Sequence, residues 1–565
     1  MDSAVAVMRA TITSYIICVI CCLSQLCKID AFAPKSLLSL SNIRRFKSSK
    51  AHALSSSSKS SPPSKTYDLV VIGGGSAGIT AAKFAANFGK SVCLVESSRV
   101  GGDCTWTGCV PSKTLLAAAK QAWIWQQMNE KYGASIDDIS IRKMLRNVKN
   151  DIDENRNRIY EEDDSPAVLK ALGIDLAEGK ANFRDAQTID VTNEVDGTIY
   201  QFRATYGIVI ATGASNDPKN IAGLDDSVPH WTYENVWDEF FDCIEQDKRQ
   251  KVREKKVIVV GGGPIGCELS QAISRLGCSV TIISSADRLL PTEEVIASQE
   301  LQHVFEKEGI EVICNHRVTS VVTSNNGDAK SIQVLLDNSD EPIVGDHILV
   351  ATGRIPNIRN LGLGKIGVQI NSETNGIQVD VDLQTSVKGV YAAGDCTGDR
   401  QFTHYAGYQG AIAARNILLP LKDAGVLGEV PSTIFTDPEV ASFGLTEQAA
   451  RDQYGDGKVS VSFRPLSKVD RAVCEGTEAH GFIKIIYQTR SKQILGATIM
   501  SPSAGELISE VSVAKDAKLS FDQLSTVMHS YPSYSIALQQ MAADVYYDKL
   551  KKSKFLYDVL KKFGL

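Results

Sequence analysis

Twice along this chain a short β-branched run stops at a glycine-rich turn, and this repeat constrains the fold more than any other feature. Residues 67–72 lead into Gly73-Gly74-Gly75-Ser76-Ala77-Gly78, and residues 256–260 lead into Gly261-Gly262-Gly263-Pro264-Ile265-Gly266. Gly73, Gly75 and Gly78 have the spacing that brings backbone against a pyrophosphate at a helix N-terminus, and Gly261, Gly263 and Gly266 repeat it. After the first turn an alanine-rich helix runs to Gly89. The next strand, 91–95, ends at Glu96, where a carboxylate can accept from a ribose hydroxyl. A lone glycine triplet says little. Strand, glycines, helix, strand and acid in order predict a dinucleotide-binding fold, and the repeat predicts two.

The second fold differs at its strand end. Residues 278–283 close on Ser284-Ser285 instead of an acid. Without a carboxylate to repel a 2′-phosphate, and with two hydroxyl donors, NADPH is favoured over NADH. Arg288 is the candidate phosphate partner, or else forms a salt bridge with a neighbouring helix.

Between the two turns lies Gly101-Gly102-Asp103-Cys104-Thr105-Trp106-Thr107-Gly108-Cys109-Val110-Pro111-Ser112-Lys113. Two cysteines five positions apart, behind Gly-Gly and ahead of Pro-Ser-Lys, can close a small strained disulfide, the reducible kind that cycles. Cys109 falls near a helix N-terminus, whose partial positive charge lowers a thiol pKa. The alternatives are a structural disulfide or half of a metal site; no second Cys or His cluster follows to complete a zinc site.

This order of dinucleotide fold and redox pair resembles the FAD-dependent pyridine nucleotide-disulfide oxidoreductases, which include lipoamide dehydrogenase, glutathione reductase, mercuric reductase and soluble transhydrogenase. The resemblance covers about residues 66–545. It implies FAD on the first fold, with Gly102 beside it, Cys104 as interchange thiol and Cys109 as charge-transfer thiol. It also implies Lys113 near flavin N5, paired with Glu268 on the helix after the second glycine turn. Two Ala-Thr-Gly elements, ending at Gly213 and Gly353, would meet the FAD and the NAD(P) respectively. Asp395, after residues 389–394, would bind the ribityl chain, and His404 is expected as a buried, hydrogen-bonded histidine.

Residues 431–441 open a segment resembling the family's dimerisation domain, implying a homodimer whose partner subunit completes each site. Lipoamide dehydrogenase and glutathione reductase carry His-Pro-Thr and then Ser-Glu here, the acid/base dyad for dithiol exchange. This chain reads His529-Ser530-Tyr531-Pro532-Ser533-Tyr534-Ser535-Ile536. Aligning the prolines puts Tyr531 at the base and Ile536 at its glutamate. Tyrosine, with a pKa of about 10, is a poor base near neutrality. His529 either substitutes as an acid or caps the loop. Mercuric reductase ends in a vicinal cysteine pair, whereas nothing after Cys474 here is a cysteine. The cysteine motif is nonetheless mercuric reductase-like.

The expected fold is therefore α/β, with two Rossmann-like dinucleotide-binding domains and a C-terminal α+β dimerisation domain. A targeting leader covers 1–65, and FAD-binding segments cover 66–230 and 356–430. The NAD(P) domain covers 231–355, the dimerisation domain 431–548, and a basic amphipathic tail 549–565. Trp123 and Trp125, in a charged helical pair over 117–170, are expected as packing residues. The leader couples an uncharged apolar run, 10–27, to Ala31-Phe32-Ala33-Pro34 and a stretch without acids, 33–65. It resembles the bipartite plastid leaders of algae with secondary plastids; a signal anchor or another organelle is the alternative. The tail has lysines on one helical face and apolar residues on the other, fit to pack on the enzyme itself or to touch an anionic membrane weakly. A formal net charge of -6 argues against general nucleic-acid binding.

The expected activity is transfer of reducing equivalents from NAD(P)H through FAD and the Cys104–Cys109 pair to a small-molecule or protein disulfide or a soft metal. The alternatives are a transhydrogenase, diaphorase or quinone reductase that bypasses the cysteines, or a dihydrolipoamide dehydrogenase-type enzyme with an altered acid/base site.

Overall fold

A computed structural model describes residues 64–133, 137–216, 221–225, 228–247, 250–326, 329–339 and 341–562. The leader lies outside the described residues except for Ser64 and Lys65. Those two begin the first strand, Ser64–Ile72, so the folded chain starts slightly earlier than expected.

Ser64–Ile72 is flanked in parallel by Val92–Glu96 on one side and Ile199–Ile210 on the other, with Leu69 opposite both Val92 and Gly207. Ile174–Glu178 adds to one edge, and Thr188–Thr192 and Lys180–Asp185 extend the other antiparallel. The central strands read as unbroken apolar runs because both faces of the sheet are covered. Val390–Ala392 returns from far along the chain to lie parallel to Ile199–Ile210, bringing Asp395 beside the first glycine turn.

The second parallel sheet has the order Glu311–Ile313, Ser279–Ile283, Lys256–Val260, His347–Val350. An antiparallel three-stranded sheet, Val318–Asn326, Ala329–Leu336 and Ile343–Gly345, accompanies it. Residues 221–225 and 228–230, expected in the first domain, already belong here. Ala222 bridges Ser320, and Val228 packs with Ile258 and Val260. The chain crosses between the two folds through the antiparallel pair Ala214–Asn216 and Arg354–Pro356.

Helices Cys109–Lys131 and Asp138–Ile159 form the expected pair, and the second buries Ile141, Leu145, Val148 and Ile152 in the second fold's core. Trp123 packs against the Arg275 guanidinium, but Trp125 is exposed rather than packed. The C-terminal unit is a five-stranded antiparallel sheet under helices Ala504–Asp516 and Ile536–Lys562. Ile483, Ile485, Val511 and Leu538 are among the residues that fill its core. The tail is not a separate element but the continuation of Ile536–Lys562, with Lys549 ion-paired to Asp522. Among the described residues no helix is long and apolar enough to cross a membrane.

Candidate active site

The glycine turns at the carboxyl ends of the two parallel sheets open on one continuous cleft of about 1800 Å³. Each turn divides three tasks among its glycines. Gly73 and Gly261 sit at φ 107° and 122°, where an added Cβ would stand 2.2 and 2.3 Å from the carbonyl oxygens of Ala211 and Ala351. Gly78 and Gly266 seat the following helix on the turn, because a Cβ there would stand 1.8 and 1.9 Å from the carbonyl oxygens of Gly73 and Gly261.

The middle glycines are different. Gly75 (φ −88°) and Gly263 (φ −81°) have backbone that any residue adopts. A Cβ on Gly263 would meet nothing within 4 Å, and one on Gly75 only the Gly102 Cα at 3.8 Å. No protein atom requires glycine at either position. The space they leave fits the close approach of a dinucleotide pyrophosphate to backbone at a helix N-terminus. Glu96 accepts from the Gly74 and Ser98 amides at 2.6 and 2.7 Å at the cleft wall, and Gly213 and Asp395 line the same wall. Ser284, Ser285 and Gly353 line the second fold's wall. These residues fit FAD at the first turn and a nicotinamide dinucleotide at the second.

The cysteine stretch lies between them. Gly101 and Gly102 both have positive φ, and a Cβ on Gly102 would stand 2.7 Å from the Gly75 Cα, so the stretch presses directly on the first turn. Cys104 sits on the short helix Gly102–Trp106, and Cys109 is the first residue of Cys109–Lys131. Both are thiols, and their sulfurs hydrogen-bond each other. That bond pulls the Cys109 pKa well below the usual thiol range, helped by Thr403 Oγ1 at 3.1 Å and the Lys113 charge, against the cost of burial. The helix N-terminus acts in the same direction. The same bond, with burial, pushes Cys104 up. One proton shared unequally across two sulfurs is the result.

Lys113 Nζ donates to Glu268 Oε2 at 3.0 Å, the contact expected from the sequence. Glu268 Oε1 accepts from the Phe435 amide at 2.8 Å, and Lys113 lies 4.2 Å from the Phe435 ring centre.

Two expectations do not hold. Arg288 does not line the cleft and makes no bridge to a neighbouring helix; it curls onto the Pro291 carbonyl at 2.7 Å and onto Asp287 next to it. Arg317 lines the cleft beside Ser284 and Ser285 instead. His404 is exposed rather than buried, bonded to the Pro431 carbonyl and stacked on Phe402. Tyr531 and His529, expected in a site that a partner subunit completes, lie outside this chain's own cleft. Tyr531 is 66% exposed and donates to Asp470 at 3.1 Å, a bond that raises its pKa further. The His529 side chain is only 7% exposed, with Nδ1 on the Val527 carbonyl and Nε2 on Glu510 at 2.6 Å, which pins the loop.

Arg354, given no role by the sequence, belongs to the same wall as Asp395. It donates to Asp395 at 2.6 Å, to Asp103 at 2.5 Å and to the Tyr233 hydroxyl at 3.2 Å. It follows Gly353 in a motif already noted, but its partners lie too far away in sequence for spacing to reveal them.

Residues 67–410 match the family model described as pyridine nucleotide-disulphide oxidoreductase, and residues 430–542 match that family's dimerisation domain. The chain is 31% identical to dihydrolipoyl dehydrogenase of Corynebacterium glutamicum, over 84% of this chain and 97% of that one. It is 32% identical to mercuric reductase of Lysinibacillus sphaericus, over 84% of this chain and 82% of that one. Among solved structures it is similar to LpdA of Mycobacterium tuberculosis (TM-score 0.72, 28% identity, 84% of this chain and 99% of that one). It is also similar to the HOCl-induced flavoprotein disulfide reductase of Escherichia coli (TM-score 0.70, 26% identity, 84% and 99%).

Proposed function

This chain belongs to the pyridine nucleotide-disulphide oxidoreductase family, and from that premise we propose a homodimeric, NADPH-preferring reductase of a disulfide or soft metal ion. The family makes it an FAD-dependent oxidoreductase. When bound, FAD takes two electrons from the nicotinamide and delivers them to the cysteine pair.

The chain's own residues do the rest. Two electrons and one proton open the sulfur–sulfur bond to a Cys104 thiol and a Cys109 thiolate, the unequal protonation that the site favours. Thr403, Lys113 and the helix N-terminus stabilise that thiolate. Cys104 must then lose its proton to attack. Tyr531 is a poor base, so the nearest acceptor is the Cys109 sulfur to which Cys104 is already bonded. Attack on a disulfide substrate forms a mixed disulfide at Cys104 and releases one thiol. Cys109, again as thiolate, closes the Cys104–Cys109 bond and releases the second. A soft metal ion is captured by the same thiolates.

The observation that carries this reading is the placement of Cys104 and Cys109 together in the cleft that both glycine turns share. Anaerobic titration with NADPH is expected to give long-wavelength charge-transfer absorbance, followed by turnover of disulfides or Hg²⁺ in an acceptor panel. A bleached flavin with no such band, and turnover of quinones alone, would sink it. The nicotinamide preference rests on Ser284 and Ser285 in place of an acid; NADH turnover exceeding NADPH turnover would overturn it.

Tyr531 at the position of the base, with Ile536 in place of its glutamate, favours a second reading. Without a dyad at this point the flavin serves a quinone or a second nicotinamide directly, and Cys104→Ser keeps quinone turnover. A dihydrolipoamide dehydrogenase-type activity with an altered acid/base site is tested in the same panel. The composition of the leader supports plastid import, checked by the N-terminus of the mature protein; one beginning at Met1 removes it. Weak contact of the basic tail with anionic membranes is tested by liposome co-sedimentation of wild type against a tail deletion, with equal pelleting counting against it.

A further inference from the structure

The residues between and beside the two cysteines are each held by a different part of the fold. Thr105 donates to Asp164 at 2.9 Å. The Trp106 indole donates to the Val100 carbonyl at 2.7 Å, packs at a tilt against the Tyr160 ring at 5.0 Å and lies under the Arg99 guanidinium at 4.1 Å. The Thr107 carbonyl accepts at 2.9 Å from the buried Trp237 indole, whose N–H it shares with the Tyr233 carbonyl at 2.5 Å. Asp103, immediately before Cys104, is bound by Arg354. Arg354 is itself fixed by Asp395 and the Ala214 carbonyl, so the contact ties the cysteine stretch to the wall of the first fold.

We propose that Asp103, through Arg354, is a positioning residue that keeps the Cys104 sulfur within bonding reach of Cys109 and so sets how easily the pair is reduced. The inference rests on the reading of Cys104 and Cys109 as a redox couple. A disulfide tolerates only a narrow range of Cα and Cβ separations. A dithiol on a freely moving loop spends little time in that range, while a clamped one has a high effective concentration of one sulfur at the other. The clamp therefore favours the ring over the open dithiol. Releasing it makes the ring easier to open by the two electrons and one proton that give the Cys104 thiol and the Cys109 thiolate. The Asp103 side chain is 43% exposed to the cleft, so replacing it removes a contact without opening a core cavity.

The test equilibrates the full chain in dithiothreitol redox buffers, alkylates free thiols and counts them by mass, a readout that needs no turnover. Asp103→Ala is expected to shift the dithiol/disulfide equilibrium about tenfold toward the dithiol, roughly 30 mV more positive. Asp103→Asn keeps an acceptor oxygen for Arg354 and is expected to stay within about threefold of wild type. Trp237→Phe releases the other end of the loop and is expected to move the equilibrium in the same direction as Asp103→Ala, which guards against misfolding of any one variant. An unshifted Asp103→Ala beside a normal wild-type curve overturns this inference alone, as does an Asp103→Asn shift equal to that of Asp103→Ala, which would make charge rather than contact the cause. A wild-type pair that stays dithiol at every potential overturns the functional reading and this inference with it.

Discussion

The two glycine turns are built alike and end differently. Gly73 and Gly261 take the same positive φ against the same kind of carbonyl, and Gly78 and Gly266 seat their helices with the same contact. Gly74 and Gly262 both face the side chain at the next strand's end; an ideal Cβ would stand 3.1 Å from Glu96 Oε2 in one and 2.8 Å from Ser284 Oγ in the other. The backbone thus prepares two equivalent phosphate cradles, and a single side chain, carboxylate or hydroxyl, separates them. Pyrophosphate binding belongs to the turn, while discrimination between nucleotides belongs to what stands at the strand end and beyond it.

The largest effect that tests this equivalence is steric. Gly78→Ala and Gly266→Ala are each expected to destabilise the protein by about 3 kcal/mol, because neither helix can retreat from the carbonyl it touches. Denaturant unfolding checks it, and equal losses at the two positions support equivalence.

Next come the middle glycines. Gly75→Val and Gly263→Val are expected to leave the melting temperature nearly unchanged while weakening their own nucleotide by about 100-fold. FAD content after gel filtration reads the first, and NADPH binding reads the second. A large loss of stability with either would show that these glycines serve the fold and not the ligand.

Ser284→Glu makes the second fold imitate the first. It is expected to move the NADPH-to-NADH preference toward NADH by about tenfold, from the ratio of kcat/KM values. Arg317→Ala should move it in the same direction, and Arg288→Ala should not, because Arg288 is spent on its own loop.

The smallest effect is a titration. The folded Cys109 pKa lies below its ordinary value of 9.0, so its thiolate persists as pH falls below 9.0 and is lost only through the lower folded value. The stability this group contributes to the reduced protein is therefore fully present above pH 9.0 and is lost as pH falls from there through the folded value of about 6. Cys104, with its pKa raised, has the opposite sign and keeps its proton through neutrality. The reduced protein is expected to show one thiolate by ultraviolet absorbance at neutral pH, and Cys109→Ser none; two thiolates would mean the sulfurs are not coupled.

Much of the site was legible because its signals are local. The glycine spacing, the acid at Glu96 and the cysteine pair at a helix start each follow from a few consecutive residues, since helix and strand periods fix where those residues point. The Lys113–Glu268 contact came from resemblance, and the fold places it as expected. Reasoning from nearness in sequence failed at Arg288. That arginine follows Ser285 closely but is satisfied by its own turn, whereas Arg317 reaches the cleft because sheet order sets Glu311–Ile313 beside Ser279–Ile283. Trp125 and His404 failed similarly, for an aromatic or a histidine on a helix says nothing of which face lacks a neighbour.

Two nucleotide folds and a cysteine pair at a helix start can be read from the chain alone, because glycine stereochemistry and apolar period act over a few residues, while the C-terminal unit came from resemblance. Only the tertiary structure decided which charges meet. Asp103, Arg354 and Asp395 come together from segments far apart in the chain, and an ion pair depends on distance in space, which chain spacing does not encode.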